Sequence, residues 1–205
     1  MQLGIIGAGS LGTALGERLA GRGHAVMFGG GESAQAAADR LGVAVGSNAE
    51  AASFGDVLIL AVPFAAVACA LADAKPLDGR VLWSCVNALK PDLSGLAVGF
   101  DDSAAEEVAR RAPRARVVAA VPPFAGALAS PPLTYEHDLE PSVFVCSDDA
   151  GAKEVVAALV RDLGAQPVDA GPLIAARFVE PAMMLTVSIA YAGVPRDVGL
   201  RLLER

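Results

Sequence analysis

The stretch Gln2-Leu3-Gly4-Ile5-Ile6-Gly7-Ala8-Gly9-Ser10-Leu11-Gly12 decides the fold of this chain. Gln2–Ile6 is a short apolar run that reads as a strand, and a helical pattern opens at Ser10 and continues through Ala20. Between them stands G-x-G-x-x-G, a weak signal alone that gains weight from the strand before it and the helix after it. Gly7 permits a tight turn, Gly9 lets backbone approach a pyrophosphate, and Gly12 lets helix and strand pack closely. With Ala8, Ser10 and Leu11 they form a cradle where a helix N-terminus offers unpaired N–H groups to phosphates. The expected occupant is a dinucleotide.

Which dinucleotide depends on the end of the second strand. Ala25–Phe28 reads as that strand, followed by Gly29-Gly30-Gly31-Glu32-Ser33. An acid there accepts from the ribose hydroxyls of NAD, whereas an Arg or Lys meets the 2′-phosphate of NADP. No Lys or Arg occurs between Arg22 and Arg40, and Glu32 stands 20 residues past Gly12. Glu32 is thus either the ribose acid or a first-turn charge favoured by the helix dipole. The glycines could also form an N–H nest, with Ser33 as a hydroxyl donor. The side-chain chemistry leans toward NAD.

Strands and helices alternate along the rest of the chain. Ser33–Leu41 reads as a helix closed by Gly42, Val43–Val45 as a short strand, and Val57–Val62 as a strand buried on both faces. An Ala-rich helix is expected over Phe64–Ala72, then buried strands at Val81–Val86 and Val117–Val121. Ser103-Ala104-Ala105-Glu106 has capping-box form and opens a helix to about Arg111. The Pro-rich Ala129–Pro141 reads as a loop where a boundary could fall. Val143–Cys146, a helix over Ala150–Leu163 and Gln166–Val168 add one more β-α-β stretch. Pro172–Ala192 is nearly uncharged, with Arg177 and Glu180 its only charges, and such a helix is either core or subunit interface. The fold class is α/β: a Rossmann-type doubly wound, mostly parallel sheet with helices on both faces and a C-terminal helical segment. The expected division is a dinucleotide-binding domain over 1–170 and a helical segment over 171–205.

Open α/β sheets bind ligands beyond the carboxyl ends of their strands. Val62 and Pro63 end the fourth strand, and Asn87 and Leu89 follow the fifth, so all four flank the expected nicotinamide half. The Asn87 amide can donate and accept to a ribose or carboxamide, or it can simply form a turn.

Composition narrows the classes. At 205 residues, 54% hydrophobic and 19% charged, the chain is no disordered segment. Sixteen basic against 23 acidic residues give −7, with no Lys/Arg block, so no nucleic-acid partner is expected. Cys69, Cys85 and Cys146 are far apart and read as small core residues in a reducing compartment; with two histidines, no metal-ligand set is expected. Val57–Ala72 falls short of the ~20 residues of a spanning helix and contains Pro63. No signal peptide is read, and a cytoplasmic protein without a membrane partner is expected. His24 and His137 are the only imidazoles and form no constellation with Ser or Asp, so no catalytic side chain is assigned.

These motifs together resemble the coenzyme F420-dependent NADP oxidoreductases (NADPH:F420 reductases) over essentially the whole chain. The resemblance rests on the glycine turn with Gly23-His24, on Val62-Pro63, and on Asp92-Leu93-Ser94-Gly95-Leu96 with Ser103-Ala104-Ala105-Glu106. It rests further on Val145-Cys146-Ser147-Asp148-Asp149 and on Asp169-Ala170-Gly171-Pro172-Leu173 followed by Arg177 and Glu180. It implies direct hydride transfer between NADP(H) and a deazaflavin, the two cofactors carrying the chemistry. It also implies a homodimer with C-terminal helices at the interface. Gly30-Gly31 replaces the Ser-Arg pair that the family sets against the 2′-phosphate, which keeps both NADP and NAD in view. Pro122-Pro123, then Phe124, replace a His or Asn followed by Thr near the cofactor junction, giving an apolar acceptor pocket; Gly126 keeps a backbone place beside the nicotinamide. A related reading sends the hydride to a flavin or another small acceptor, which an apolar Pro122–Phe124 pocket permits, and the alternative is a non-catalytic, sensor-like dinucleotide-binding protein on the same fold.

Overall fold

The computed structural model describes residues 1–193 and 197–205. Eight strands form one sheet in the order β3-β2-β1-β4-β5-β6-β7-β8. They are β1 (Gln2–Ile6), β2 (Ala25–Gly29), β3 (Ala44–Gly46), β4 (Val57–Leu60), β5 (Val81–Ser84), β6 (Arg116–Ala119), β7 (Ser142–Cys146) and β8 (Gln166–Gly171). β1 to β6 run parallel; β7 meets β6 antiparallel at Ala119↔Cys146 and pairs parallel with β8. Helices cover both faces: α1 (Ser10–Ala20), α2 (Glu32–Leu41), α3 (Asn48–Phe54), α4 (Val67–Asp73), α5 (Ala104–Arg111), α6 (Ala125–Ala129), α7 (Ala150–Leu163) and α8 (Ala176–Ala190). A doubly wound sheet is the observed class.

Burial follows from this covering. β4 and β5 are buried at every position, as strands packed on both faces require. One apolar layer gathers Ile5, Leu15, Phe28 and Trp83 on one face, and another gathers Leu58, Leu82 and Val108 on the other. Trp83 is fully buried, and its Nε1 donates to the Ala120 carbonyl at 2.7 Å, tying β5 to the end of β6.

Several boundaries differ from expectation. β4 ends at Leu60 rather than Val62 because its partner β1 ends at Ile6, where Gly7 turns the chain away. β5 likewise ends at Ser84 rather than Val86. The Phe64–Ala72 segment starts as a 3₁₀ turn, Phe64–Ala66, before α4. α3 is an addition: Ser47 accepts from Glu50 N–H, and the Glu50 carboxylate accepts from Ser47 N–H at 2.7 Å, a complete capping box. β8 runs on to Gly171, three residues past Val168. The Ala129–Pro141 loop interrupts no layer, since β7 and β8 continue the sheet beyond it.

Cys85 and Cys146 are buried as read, but Cys69 is exposed on α4 and is not a core residue. The C-terminal segment is a 3₁₀ turn, Leu173–Ala175, leading into α8. By length and composition Leu173–Ala190 is apolar enough to cross a membrane, with a mean hydropathy of 1.5. The helix packs on α5, and its buried positions are Ala176, Glu180, Thr186, Val187 and Ala190. Phe178, Leu185 and Ile189 are exposed.

Candidate functional site

The glycine turn has the geometry its sequence calls for. Gly7 holds φ +101°, and a Cβ there would lie 2.3 Å from the Ala61 carbonyl oxygen. A Cβ on Gly12 would lie 1.8 Å from the Gly7 carbonyl oxygen, so helix and turn meet backbone to backbone. A Cβ on Gly9 would meet nothing within 4 Å; that side of the turn is open. Gly9 is the N-cap of α1 without any side-chain cap, and among the described residues the amides of Ser10, Leu11 and Gly12 have no acceptor. Free amides at an open helix N-terminus suit an anion.

A cavity of about 540 Å³ begins at this turn. Ten of the residues read from the sequence line it. Gly9, Ser10 and Leu11 form one end, Val62 and Pro63 the β4 side, Asn87 and Leu89 the β5 side, and Pro122, Pro123 and Phe124 the β6 side. Parallel register explains the convergence, because β1, β4, β5 and β6 lie side by side with their carboxyl ends on one edge. Gly7, Ala8 and Gly12 shape the turn without lining the cavity.

Four residues fall elsewhere. Gly30, Gly31 and Glu32 lie at the end of β2, one strand from the turn, and Glu32 is exposed at the start of α2. Gly126 does not line the cavity where the nicotinamide was expected. It sits in α6 facing the C-terminal tail, and a Cβ on it would lie 2.9 Å from Asp197 Oδ2. The α6 helix, unread in the sequence, turns that backbone away.

Asn87 is held by the C-terminal helix. Its Nδ2 donates to the Glu180 backbone oxygen at 3.3 Å, while its Oδ1 is buried without a hydrogen-bond partner among the described residues. The donor is therefore engaged and an acceptor is left over. Sequence reasoning missed the other wall: Met183, Thr186 and Val187 of α8, and Val198, Gly199 and Leu200 of the tail. Their apolar run signals burial but not against what. The tail is fixed by Ser142 N–H donating to the Leu200 carbonyl at 2.7 Å.

Lys90 is the one charged side chain among the lining residues described, and Cys85 the one thiol. Burial pushes the Cys85 thiol well above its ordinary pKa, so it stays protonated. His24 is remote from the cavity, its Nε2 3.0 Å from Asp162 Oδ2. No group of three or more potential metal ligands occurs among the described residues.

The architecture and the turn now stand beside known proteins. Residues 2–88 match the family model for NADP oxidoreductase, coenzyme F420-dependent. The F420-dependent NADP reductase of Methanothermobacter thermautotrophicus is 30% identical, covering 98% of this chain and 94% of the relative. This chain belongs to the F420-dependent NADP reductase family. A second member, from Methanothermobacter marburgensis, is 29% identical with 98% of both chains covered. Among solved structures, a protein of Arthrobacter sp. FB24 provisionally named an F420-dependent NADP-reductase superposes with a TM-score of 0.85. It is 25% identical, with 98% of this chain and 99% of that one covered. A hypothetical protein of Sinorhizobium meliloti follows the same fold, at a TM-score of 0.78 and 26% identity, with 100% and 96% covered. The family's proteins are oxidoreductases, and the relatives share the full length of this fold, including its C-terminal helix.

Proposed function

We propose that this protein transfers a hydride directly between a nicotinamide dinucleotide, NADP or NAD, and a deazaflavin of the coenzyme F420 type. The observation that carries the reading is a single cavity that joins the open glycine turn to the apolar wall of Pro122, Pro123 and Phe124. Its volume lies within the range of cofactor sites. When bound, the two ring systems supply the hydride donor and acceptor.

The chain's own residues position and exclude. Gly9 and the first amides of α1 take the pyrophosphate, and Asn87 Oδ1 is an acceptor close to the nicotinamide side. Pro122, Pro123 and Phe124 with Met183 and Val187 keep water from the reacting faces. A cavity lined by one lysine and one neutral thiol suits a step that moves no proton through the protein.

Val62, Pro63 and Leu89 complete the nicotinamide half in this reading. The exposed Phe178, Leu185 and Ile189 support a homodimer through α8, and the three free thiols support a cytoplasmic enzyme. Residues 1–170 form the dinucleotide-binding domain and 171–205 the segment that closes the cavity and meets the partner copy.

The test is anaerobic mixing of the protein with reduced nicotinamide cofactor and oxidised coenzyme F420, following the deazaflavin's visible absorbance. Bleaching that depends on both cofactors is expected. Tight nucleotide binding with no bleaching would mean a binding protein that does not turn over.

A further inference from the structure

We propose that the adenosine-ribose end of this site recognises a 2′-hydroxyl rather than a 2′-phosphate, so that NADH binds at least as tightly as NADPH. The proposal rests on the reading of the glycine turn as a dinucleotide site. Register places the ribose end: Gly29 at the end of β2 lies beside Ile6 of β1 on one side and Gly46 of β3 on the other. The surrounding residues are therefore Gly29–Ser33, which lead into α2, and Ser47–Glu50, which lead into α3.

No cation stands among them. The first 74 residues contain no lysine and three arginines, Arg18, Arg22 and Arg40. All three are engaged at the opposite end of the sheet, toward the C-termini of α1 and α2. Arg18 Nε donates to the Leu163 carbonyl at 3.0 Å and Arg22 Nε to the Asp162 carbonyl at 3.1 Å. Arg40 Nη2 donates to Glu17 at 3.4 Å.

Negative charge stands there instead. Glu32 opens α2 and is exposed. Glu50 packs under Gly46, where a Cβ would lie 2.9 Å from its Oε2. Bonds from Ser47 N–H and Ser47 Oγ hold the Glu50 carboxyl below the usual range, so it is ionised at neutral pH. Asn48 Oδ1 adds a buried oxygen without a partner among the described residues, 3.0 Å from where a Gly29 Cβ would stand.

The backbone does not make good the lack of a cation. Gly30 N–H, a natural member of a phosphate nest, already donates to the Gly46 carbonyl at 3.0 Å. Among the described residues the amides of Gly31, Glu32 and Ser33 remain without acceptors. A few neutral donors beside two carboxylates suit a hydroxyl, which can also donate to Glu32. They do not suit a phosphate monoester of about −1.5 to −2 charge.

The test is calorimetric titration of the full-length protein with NADH and with NADPH, for the wild type, Gly31→Arg and Glu32→Gln. Gly31 lies outside the left-handed region, at φ −91°, and a Cβ there meets nothing within 4 Å, so an arginine side chain has room. Exposed Glu32 gives a second variant whose folding is not in question. The wild type is expected to bind NADH at least as tightly as NADPH. Gly31→Arg should tighten NADPH about tenfold or more and leave NADH within about twofold. Glu32→Gln should move the ratio several-fold toward NADPH. Wild-type NADPH binding tighter than NADH overturns the proposal and leaves the dinucleotide site standing. A ratio unmoved by either variant also overturns it. Binding of neither nucleotide removes the dinucleotide reading and this proposal together.

Discussion

Glu180 and Ala104 are joined across 76 residues of sequence: a carboxylate oxygen of Glu180 accepts from the Ala104 backbone N–H at 2.8 Å. The second oxygen accepts from Ala105 N–H at 3.1 Å, so one side chain of α8 closes the N-terminus of α5. Glu180 is 2% exposed, and the cap is buried where α8 docks. The same residue's backbone oxygen holds Asn87, so docking of α8 and shaping of the cavity wall are one event.

Stability should therefore depend on pH through Glu180. Burial, opposed by the backbone bonds, raises its carboxyl from 4.5 to about 7. The folded protein binds this proton more tightly than the unfolded chain does. Its contribution is full below about 4.5 and is lost as pH rises through about 7, on the order of 3 kcal/mol. Denaturant midpoints should fall over this window in the wild type and fall less in Glu180→Gln. Identical pH slopes in the two proteins would contradict the assignment. Glu180→Ala, which strands buried amides, should lose about 1–3 kcal/mol at every pH.

A second link fixes the start of α8. Arg177 donates to Glu106 through Nε at 2.9 Å and Nη2 at 2.7 Å, a two-pronged pair between α8 and α5. It is partly shielded, with side-chain exposures of 29% and 17%. Arg177→Lys keeps the charge but not the fork, and a lower midpoint is expected by chemical denaturation. The Arg177 hydrogen bonds hold the Glu106 carboxyl below its usual range. Here the sign is opposite to that of Glu180: the contribution is present at neutral pH and is lost as acid titrates Glu106.

Two glycines of the turn should fail differently. Gly9→Val places its side chain in open space on the ligand side, so thermal stability should change little while nucleotide binding disappears. Gly12→Ala drives a methyl against the Gly7 carbonyl and should lower the melting temperature before any ligand is added. Parallel melting curves and nucleotide titrations of both variants separate the roles. A stable Gly12→Ala would show that the turn can yield.

The thiols should separate by access. Cys69 is exposed, Cys85 is 4% exposed and Cys146 fully buried. Burial also pushes the Cys146 thiol up to about 11. An aromatic disulfide reagent should titrate one thiol quickly in the native protein and none quickly in Cys69→Ser. Slow modification of Cys85 should slow further when the cavity is filled, because Cys85 lines it.

The N-terminal half was legible because its signals are local. A strand, a glycine turn and a helix act within about ten residues, and β4 and β5 announce burial on both faces by unbroken apolar runs. The Ser47 cap carries the same S-x-x-E signal as Ser103, but the seven residues of α3 are too few to show a helical period. Strand ends at Leu60 and Ser84 were out of reach for another reason. A ladder stops where its neighbour turns away, and the apolar residues beyond it look no different.

By itself the sequence determined the doubly wound fold, the placement of the glycine turn and the absence of cations after β2, since these depend on residue type and short spacing. The tertiary structure alone decided which elements share the cavity. Arg177 and Glu180 appeared in the sequence as two charges in an apolar helix; folding brought them onto α5, about 70 residues away in the chain. Met183, Thr186 and Val187 became cavity wall on the same helix, and the Leu200 tail through its bond to Ser142. Hydrophobic burial has no direction, so an apolar run states that it will be covered and leaves its partner to the packing of the whole chain.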